Sequence, residues 1–319
     1  MTTRTLHDAL VDNLGSVIFG QQSAIRLATI ALIARGHILL EGYPGIGKTL
    51  LARGLARSLG RTFGRIQCTA DLMPSDMTGI HVFNERSGEF ELVPGPLFSD
   101  IVLVDEINRT GPKTQSAMLE AMEERAISID RENYTLSDEF LVIATQNPHE
   151  FEGTYPLPES QLDRFLLKIR MTYPDPEEEI DVLRHYDTTS QNYRSSLERV
   201  VQLDQAMLDN ARRQADAIEI SDNVYHYAVA LAEATRRHHQ IDLGVSTRGV
   251  LALMRCARVA AALQEMSFVT PDHIKEVAPH ILSHRLILSQ DAVLEGVEQQ
   301  SVLEELLATT EVPRDQPCT

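Results

Sequence analysis

Residues 42–49 carry the clearest chemistry in the sequence. They read Gly-Tyr-Pro-Gly-Ile-Gly-Lys-Thr, the phosphate-loop pattern of glycine, any four residues and Gly-Lys-Thr. The glycines allow backbone angles that let successive N–H groups converge on one anion. Lys48 can reach the outer phosphates of a nucleotide, and the Thr49 hydroxyl can bind Mg²⁺. We therefore predict a site for ATP or ADP with these contacting residues: Gly42, Pro44, Gly45, Ile46, Gly47, Lys48, Thr49 and Leu50.

A second reactive group follows the four aliphatic residues 101–104, a run typical of a strand buried on both faces of a parallel sheet. Asp105 and Glu106 come at its carboxyl end, where ligands bind in open α/β sheets. Asp105 is then a candidate to hold Mg²⁺, mostly through water, and Glu106 to polarise the attacking water. Taken alone, such a pair is often two solvated acids, but the phosphate loop upstream favours the catalytic interpretation.

Two further features could complete the site. Asn147 follows the apolar run 140–145 and can hydrogen-bond the γ-phosphate or the attacking water. The alternative is an amide that only caps a loop. The segment 17–21, Val-Ile-Phe-Gly-Gln, can form an apolar corner for the adenine base at Phe19 and Gly20. Ordinary core packing of its apolar residues explains this pattern equally well.

The rest of the sequence predicts a parallel sheet that would position these residues. Short apolar runs alternate with amphipathic helical patterns as far as Met171, so we expect an α/β nucleotide-binding domain over residues 1–187. From Glu177 onward the pattern is helical, with capping residues before helices near 222, 247 and 271. Residues 188–319 are therefore predicted to be an all-helical lid domain.

Two segments interrupt the alternation. Residues 69–98 are rich in proline and glycine, which excludes one long helix, and they include a candidate hairpin around Ser87-Gly88. Loops of this length inside a compact domain are usually functional or mobile. Residues 127–136 read as a second, smaller hairpin.

Composition and charge exclude several classes of function. The chain has 319 residues, 43% of them hydrophobic and 24% charged, which fits an ordinary globular protein. A net charge of −17 argues against broad binding to the nucleic-acid backbone. Cys68, Cys256 and Cys318 lack metal-type spacing. No apolar run is long enough to span a membrane and no signal peptide is visible, so we expect a cytoplasmic protein without direct membrane insertion.

With these residues in view, the sequence resembles the MoxR family of AAA+ ATPases over nearly its whole length. Departures are small: Cys68 and Ala70 replace an aromatic residue and a proline, Thr110-Gly111 replaces a more proline-rich pair, and Thr247 stands where proline is common. None of them removes a residue with a catalytic role. The matching stretches are long and ungapped, at residues 65–67, 72–79, 95–98, 105–109, 113–116, 119–124, 144–148 and 153–159.

The resemblance implies roles that spacing alone does not. Asn147 is similar to the sensor 1 amide, and Arg248 to the sensor 2 arginine of the lid. Arg164 is similar to the arginine finger, which acts on ATP bound by the neighbouring subunit. The segments at about 69–98 and 126–140 resemble the helix-2 insert and the pre-sensor 1 hairpin, which project toward the ring pore in related machines.

The resemblance also implies a homo-oligomeric ATPase, a hexameric ring with ATP and Mg²⁺ at its subunit interfaces. Such a ring would remodel or mature client proteins, together with a von Willebrand factor A-domain partner. A nucleotide-gated scaffold with little turnover and a nucleic-acid-associated motor are the alternatives. Glu106 and Arg164 argue against the scaffold, and the net negative charge of the chain argues against the motor. For Arg164, sequence pattern alone favours a structural ion pair with Asp163.

Overall fold

A computed structural model describes residues 2–147, 154–186 and 197–312. Within these residues the strands are β1 (Ile38–Glu41), β2 (Phe63–Gln67), β3 (Gly79–Asn84), β4 (Glu89–Pro94), β5 (Ile101–Asp105), β6 (Ala126–Ile129), β7 (Glu132–Thr135), β8 (Leu141–Gln146), β9 (Leu167–Arg170), β10 (Ile241–Leu243) and β11 (Ile287–Leu288). The α-helices are α1 (Thr3–Gly15), α2 (Gln22–Ile33), α3 (Lys48–Ser58), α4 (Pro74–Thr78), α5 (Pro112–Glu124), α6 (Glu159–Leu162), α7 (Pro176–Tyr186), α8 (Gln205–Asp216), α9 (Asp222–Arg237), α10 (Thr247–Leu263), α11 (Pro271–Leu282), α12 (Gln290–Leu294) and α13 (Gln299–Thr309).

The central sheet contains five parallel strands in the order β2-β5-β8-β1-β9. Its strands are buried on both faces: Ile38 and Leu40 of β1 pack into one hydrophobic cluster, and Leu39 packs into a second cluster on the other face. This confirms the predicted α/β core. Because the strands are parallel, the phosphate loop after β1 and the acids at the end of β5 lie at the same edge of the sheet.

The second half of the chain is mostly helical, as predicted, and the caps fall near the expected residues. The Ser246 hydroxyl accepts a hydrogen bond from the Gly249 N–H at the start of α10. The pattern did not predict α12 and α13, nor the small antiparallel sheet formed by β10 and β11. The predicted boundary at 187/188 lies outside the described residues.

The helices of the second half share a core with the α/β half. One hydrophobic cluster includes both Leu6 of α1 and Leu307 of α13. Polar contacts reinforce this junction: the buried guanidinium of Arg212 donates to the Glu139 carboxylate at 2.8 Å. Burial would raise the pKa of Glu139, but the Arg212 charge overcomes that effect and lowers it. The two halves are therefore tightly packed against each other.

The two predicted hairpins are present, as β3–β4 and β6–β7. They touch through His81, whose Nδ1 lies 3.0 Å from the Asp130 carboxylate and whose Nε2 lies 3.0 Å from the Tyr134 hydroxyl. The β3–β4 hairpin exposes large apolar side chains, among them Phe83 and Phe90, whose rings lie 5.4 Å apart. Among the described residues, no helix combines the length and the hydropathy that a membrane span requires.

Candidate active site

The phosphate loop joins β1 to α3, and its glycines determine its shape. Gly45 and Gly47 have φ angles of 85° and 95°, in the region that other residues rarely adopt. Helix α3 begins at Lys48, so its free N–H groups and positive dipole end point into the loop. The Lys48 Nζ donates to the Gly42 carbonyl at 2.6 Å, which folds the side chain back over the loop. This geometry is suited to binding phosphate.

The two acids share one hydrogen-bond network at the end of β5. The Thr145 hydroxyl lies 3.4 Å from Asp105 Oδ1 and accepts the Glu106 N–H at 2.8 Å. Glu106 has a φ of 57°, a left-handed conformation that costs a non-glycine residue energy. The buried carboxylate of Asp105 also accepts from Arg65 Nε at 2.8 Å. Both acids are therefore held in place before any nucleotide arrives.

Three residues of this network, Arg65, Gln67 and Thr145, were not among the predicted site residues. The Gln67 amide lies 3.4 Å from the Glu106 carboxylate, and Arg65 also donates to Gln67. All three come at or near the carboxyl ends of β2 and β8, the two strands that flank β5. The sequence signals were a polar residue at or near each strand end and a place in two of the stretches that resemble the family, 65–67 and 144–148. The strand order that brings them to the acids is not visible in the sequence.

The nearby Cys68 is not a reactive thiol. Burial, together with the charges of Asp105 and Glu106, raises its pKa to about 12. A neutral thiol is a poor nucleophile and metal ligand. Cys68 therefore serves as a small apolar residue beneath the acids.

Asn147 follows β8 directly at the carboxyl edge of the sheet. Its neighbour Gln146 pairs with Glu41 of β1, and the Gln146 carbonyl accepts the Gly42 N–H at 3.4 Å. The structure thus places Asn147 next to the start of the phosphate loop. This position fits an amide that contacts a bound phosphate.

An apolar cavity of about 390 Å³ adjoins the phosphate loop. Phe19 lines it, together with Ile18 and the loop residues from Pro44 to Gly47. Leu50 and Tyr186 also lie on its wall, whereas Gly20 is not among the described lining residues. Val17 and Ile18 are also core residues, so ordinary core packing accounts for part of this segment, and the adenine site stays a prediction. The cavity is suited to a planar apolar group such as a nucleotide base.

The residues present fit Mg²⁺ that arrives with a nucleotide. Thr49, in the first turn of α3, supplies a hydroxyl and Asp105 supplies a carboxylate. Mg²⁺ prefers such oxygen ligands and usually takes only one or two carboxylates plus substrate phosphates. Among the described residues, no cluster of three or more His, Cys, Asp or Glu side chains could hold a metal ion by itself.

The two predicted arginines share one carboxylate. Arg164 binds Glu123 Oε2 at 3.1 Å, and Arg248 binds Glu123 Oε1 at 3.1 Å. The alternative pairing of Arg164 with Asp163 is wrong, because Asp163 accepts from the buried Arg285 at 2.6 Å. The pattern around Arg164 could not reveal this, since Glu123 and Arg285 are remote in sequence.

This arginine pair lies at the opposite edge of the sheet from the phosphate loop. The Leu166 N–H donates to the His37 carbonyl at the start of β1, and the Met122 carbonyl contacts the His37 ring. Arg164 and Glu123 are close in sequence to these two contacts. At about 3.3 Å per strand residue, five residues from His37 to the loop span roughly 16 Å. The pair is therefore well removed from the phosphate loop of its own chain.

A parallel sheet of this order, with a phosphate loop after one inner strand and two acids after another, defines a P-loop nucleotide-binding protein of the AAA+ class. Comparison with known families agrees. Residues 37–167 match the model of the ATPase family associated with various cellular activities. Residues 233–306 match that of the AAA lid domain.

Individual relatives resemble the chain over almost its full length. The uncharacterized protein YeaC of Bacillus subtilis is 45% identical and aligns over 95% of this chain and 93% of its own. Chaperone MoxR1 of Mycobacterium tuberculosis is 37% identical and aligns over 93% of this chain and 80% of its own. A crystal structure from Cytophaga hutchinsonii has a TM-score of 0.89 and 38% identity, covering 98% of this chain and 96% of that one. The chain belongs to the MoxR family of AAA+ ATPases.

Proposed function

We propose that this protein hydrolyses ATP with Mg²⁺ at the subunit interfaces of a homo-hexameric ring and uses the energy to remodel or mature partner proteins. One observation carries the proposal. The phosphate loop and acids lie at one edge of the sheet, and Arg164 with Arg248 lies at the other. A complete site therefore needs a second chain, whose arginines approach the nucleotide of the first.

Each side chain has a distinct part in the reaction. Lys48 and the N–H groups of α3 bind the phosphates, while Thr49 and Asp105 hold the metal ion. Mg²⁺, when bound, offsets the negative charge of the phosphates. Glu106 orients and polarises the water, and Asn147 hydrogen-bonds the γ-phosphate or that water. Arginine fingers in related reactions increase the rate by roughly a thousandfold or more.

The proposal includes client proteins and a von Willebrand factor A-domain partner. The name of the relative Chaperone MoxR1 supports a role in acting on other proteins. The exposed apolar face of the β3–β4 hairpin offers a surface that a client could contact. Family resemblance supports the von Willebrand factor A-domain partner. We place the protein in the cytoplasm, and the charge of −17 makes nucleic acid an unsuitable client.

A mixing experiment tests the shared site. Lys48→Ala removes the charged phosphate contact and should bind no ATP. Arg164→Ala should bind ATP normally and hydrolyse it very slowly. In mixed rings, the intact loop of the second variant faces the intact Arg164 of the first, so phosphate release should partly return.

A matched control mixes two variants whose changes affect the same nucleotide site. Lys48 and Glu106 serve the same nucleotide, so a mixture of Lys48→Ala with Glu106→Gln contains no complete site and should stay inactive. Native mass spectrometry shows whether both chains are in the same ring. Mixed rings of Lys48→Ala and Arg164→Ala that remain inactive would contradict the shared site.

A further inference from the structure

Glu123 joins two arginines that come from different parts of the chain. Arg164 precedes β9 in the α/β half, and Arg248 lies in the first turn of α10 in the helical half. Each forms an ion pair at 3.1 Å with a different oxygen of the same carboxylate. Among the described residues, no other carboxylate forms an ion pair with either arginine.

The shared carboxylate solves an electrostatic problem. Two guanidinium groups at such short range repel each other, and a carboxylate between them offsets the repulsion. Each guanidinium has five N–H donors, so most of its donors stay available to phosphate oxygens. The side chains of Arg164 and Arg248 are 28% and 49% exposed, so another subunit can reach them.

We propose that Glu123 is a positioning residue, which holds Arg164 and Arg248 as one paired cationic group directed at the nucleotide of the neighbouring subunit. The inference rests on the proposed function of the ring. It makes the lid arginine and the finger arginine parts of a single unit. Loss of Glu123 should leave both arginines present but no longer fixed in orientation.

A purely structural role for Glu123 fits the exposure less well. Its side chain is 36% exposed, and ion pairs between solvent-exposed groups contribute little to stability. Glu123→Gln should therefore fold and bind ATP at its own phosphate loop with unchanged affinity. Glu124 provides a matched control, because it is the exposed neighbour on α5 and has no ion pair among the described residues.

The test places Glu123→Gln in either member of the Lys48→Ala and Arg164→Ala mixture. The Lys48→Ala chain supplies the arginines to the nucleotide bound by the Arg164→Ala chain. Adding Glu123→Gln to the Lys48→Ala chain should therefore reduce the recovered phosphate release about ten- to a hundredfold. The same change in the Arg164→Ala chain should have no effect, because its arginines are not used. Glu124→Gln should have no effect in either chain.

Each outcome separates the inference from the function on which it rests. If the parent mixture does not recover, the shared site and this inference both fail. If it recovers and Glu123→Gln has no effect in either chain, only the inference fails. A loss of recovery from both placements would assign Glu123 to folding or assembly and also overturn the inference.

Discussion

At the residue scale, Thr145 has more influence than its small side chain suggests. It is 1% exposed, and its hydroxyl contacts the Asp105 carboxylate while it accepts the backbone N–H of Glu106. That N–H belongs to a residue in the left-handed conformation. Without the hydroxyl, the backbone of Glu106 loses the contact that offsets this strain, and its carboxylate loses its fixed position.

We therefore expect Thr145→Val to bind ATP with near-normal affinity and to hydrolyse it more slowly. A lost buried hydrogen bond costs about 1–3 kcal/mol, so the rate should fall roughly ten- to a hundredfold. Thr145→Ser keeps the hydroxyl and should retain most of the activity. Calorimetric ATP titration and phosphate release separate binding from turnover. Equal rates in the Val and Ser variants would exclude this role.

The Glu106 carboxylate itself gives a second prediction. Glu106→Gln keeps the size of the side chain but cannot polarise water, so the variant should bind ATP and stop turning it over. Nucleotide that co-purifies with the variant can be identified by chromatography. Wild-type hydrolysis by Glu106→Gln would mean that another residue orients the water. The trapped ATP state also provides bait for capturing client proteins.

At the element scale, His37 connects β8 and α5 across the start of β1. Its Nδ1 accepts the Val142 N–H at 3.0 Å, so its Nε2 carries the proton that is donated to the Met122 carbonyl at 3.1 Å. Only the neutral ring can form both hydrogen bonds. Burial accordingly lowers the pKa of His37 to about 4.

This pKa predicts how stability depends on pH. The unfolded histidine takes up a proton near pH 6.5 and the folded one near 4, so between these values the unfolded state binds more protons. The free energy of unfolding should therefore fall by about 3 kcal/mol from His37 alone as the pH drops from 6.5 to 4. Urea unfolding of His37→Gln should show a smaller pH slope than the wild type.

The exposed His226 provides the control for this measurement. His226→Gln should leave the slope unchanged. Burial also lowers the pKa of His284, so part of the slope should remain in His37→Gln. An identical slope in the wild type and His37→Gln would show that His37 titrates alike in the folded and unfolded chain.

The same elements show what the sequence could predict. The aliphatic runs of β1, β5 and β8 and the capping residues of α10 and α11 are local signals, and the structure contains those elements. The strands β10 and β11 are three and two residues long and pair across a long separation, so they leave no periodic pattern. His37, Thr145 and Glu123 acquire their roles from contacts far apart in sequence. Spacing alone could not identify them.

At the scale of the whole molecule, one hydrophobic cluster extends through both halves of the chain. Arg285 adds to this continuity, because its buried guanidinium donates to Asp163 and to the Phe165 carbonyl at 2.7 Å, on either side of Arg164. The helical half therefore supports the segment that carries Arg164. A change in the position of the lid should therefore move Arg164 directly.

If the site is divided between two chains as proposed, assembly is expected to depend on nucleotide. ATP at a subunit boundary gains the Arg164 and Arg248 contacts only when two chains meet, so it should shift the population toward rings by mass action. Glu106→Gln with ATP and Mg²⁺ prevents turnover during the measurement. Light scattering at micromolar protein should then show a higher mass with nucleotide than without. Lys48→Ala should not respond to nucleotide at all. The same mass with and without nucleotide in Glu106→Gln would mean that subunit contacts outside the site dominate assembly.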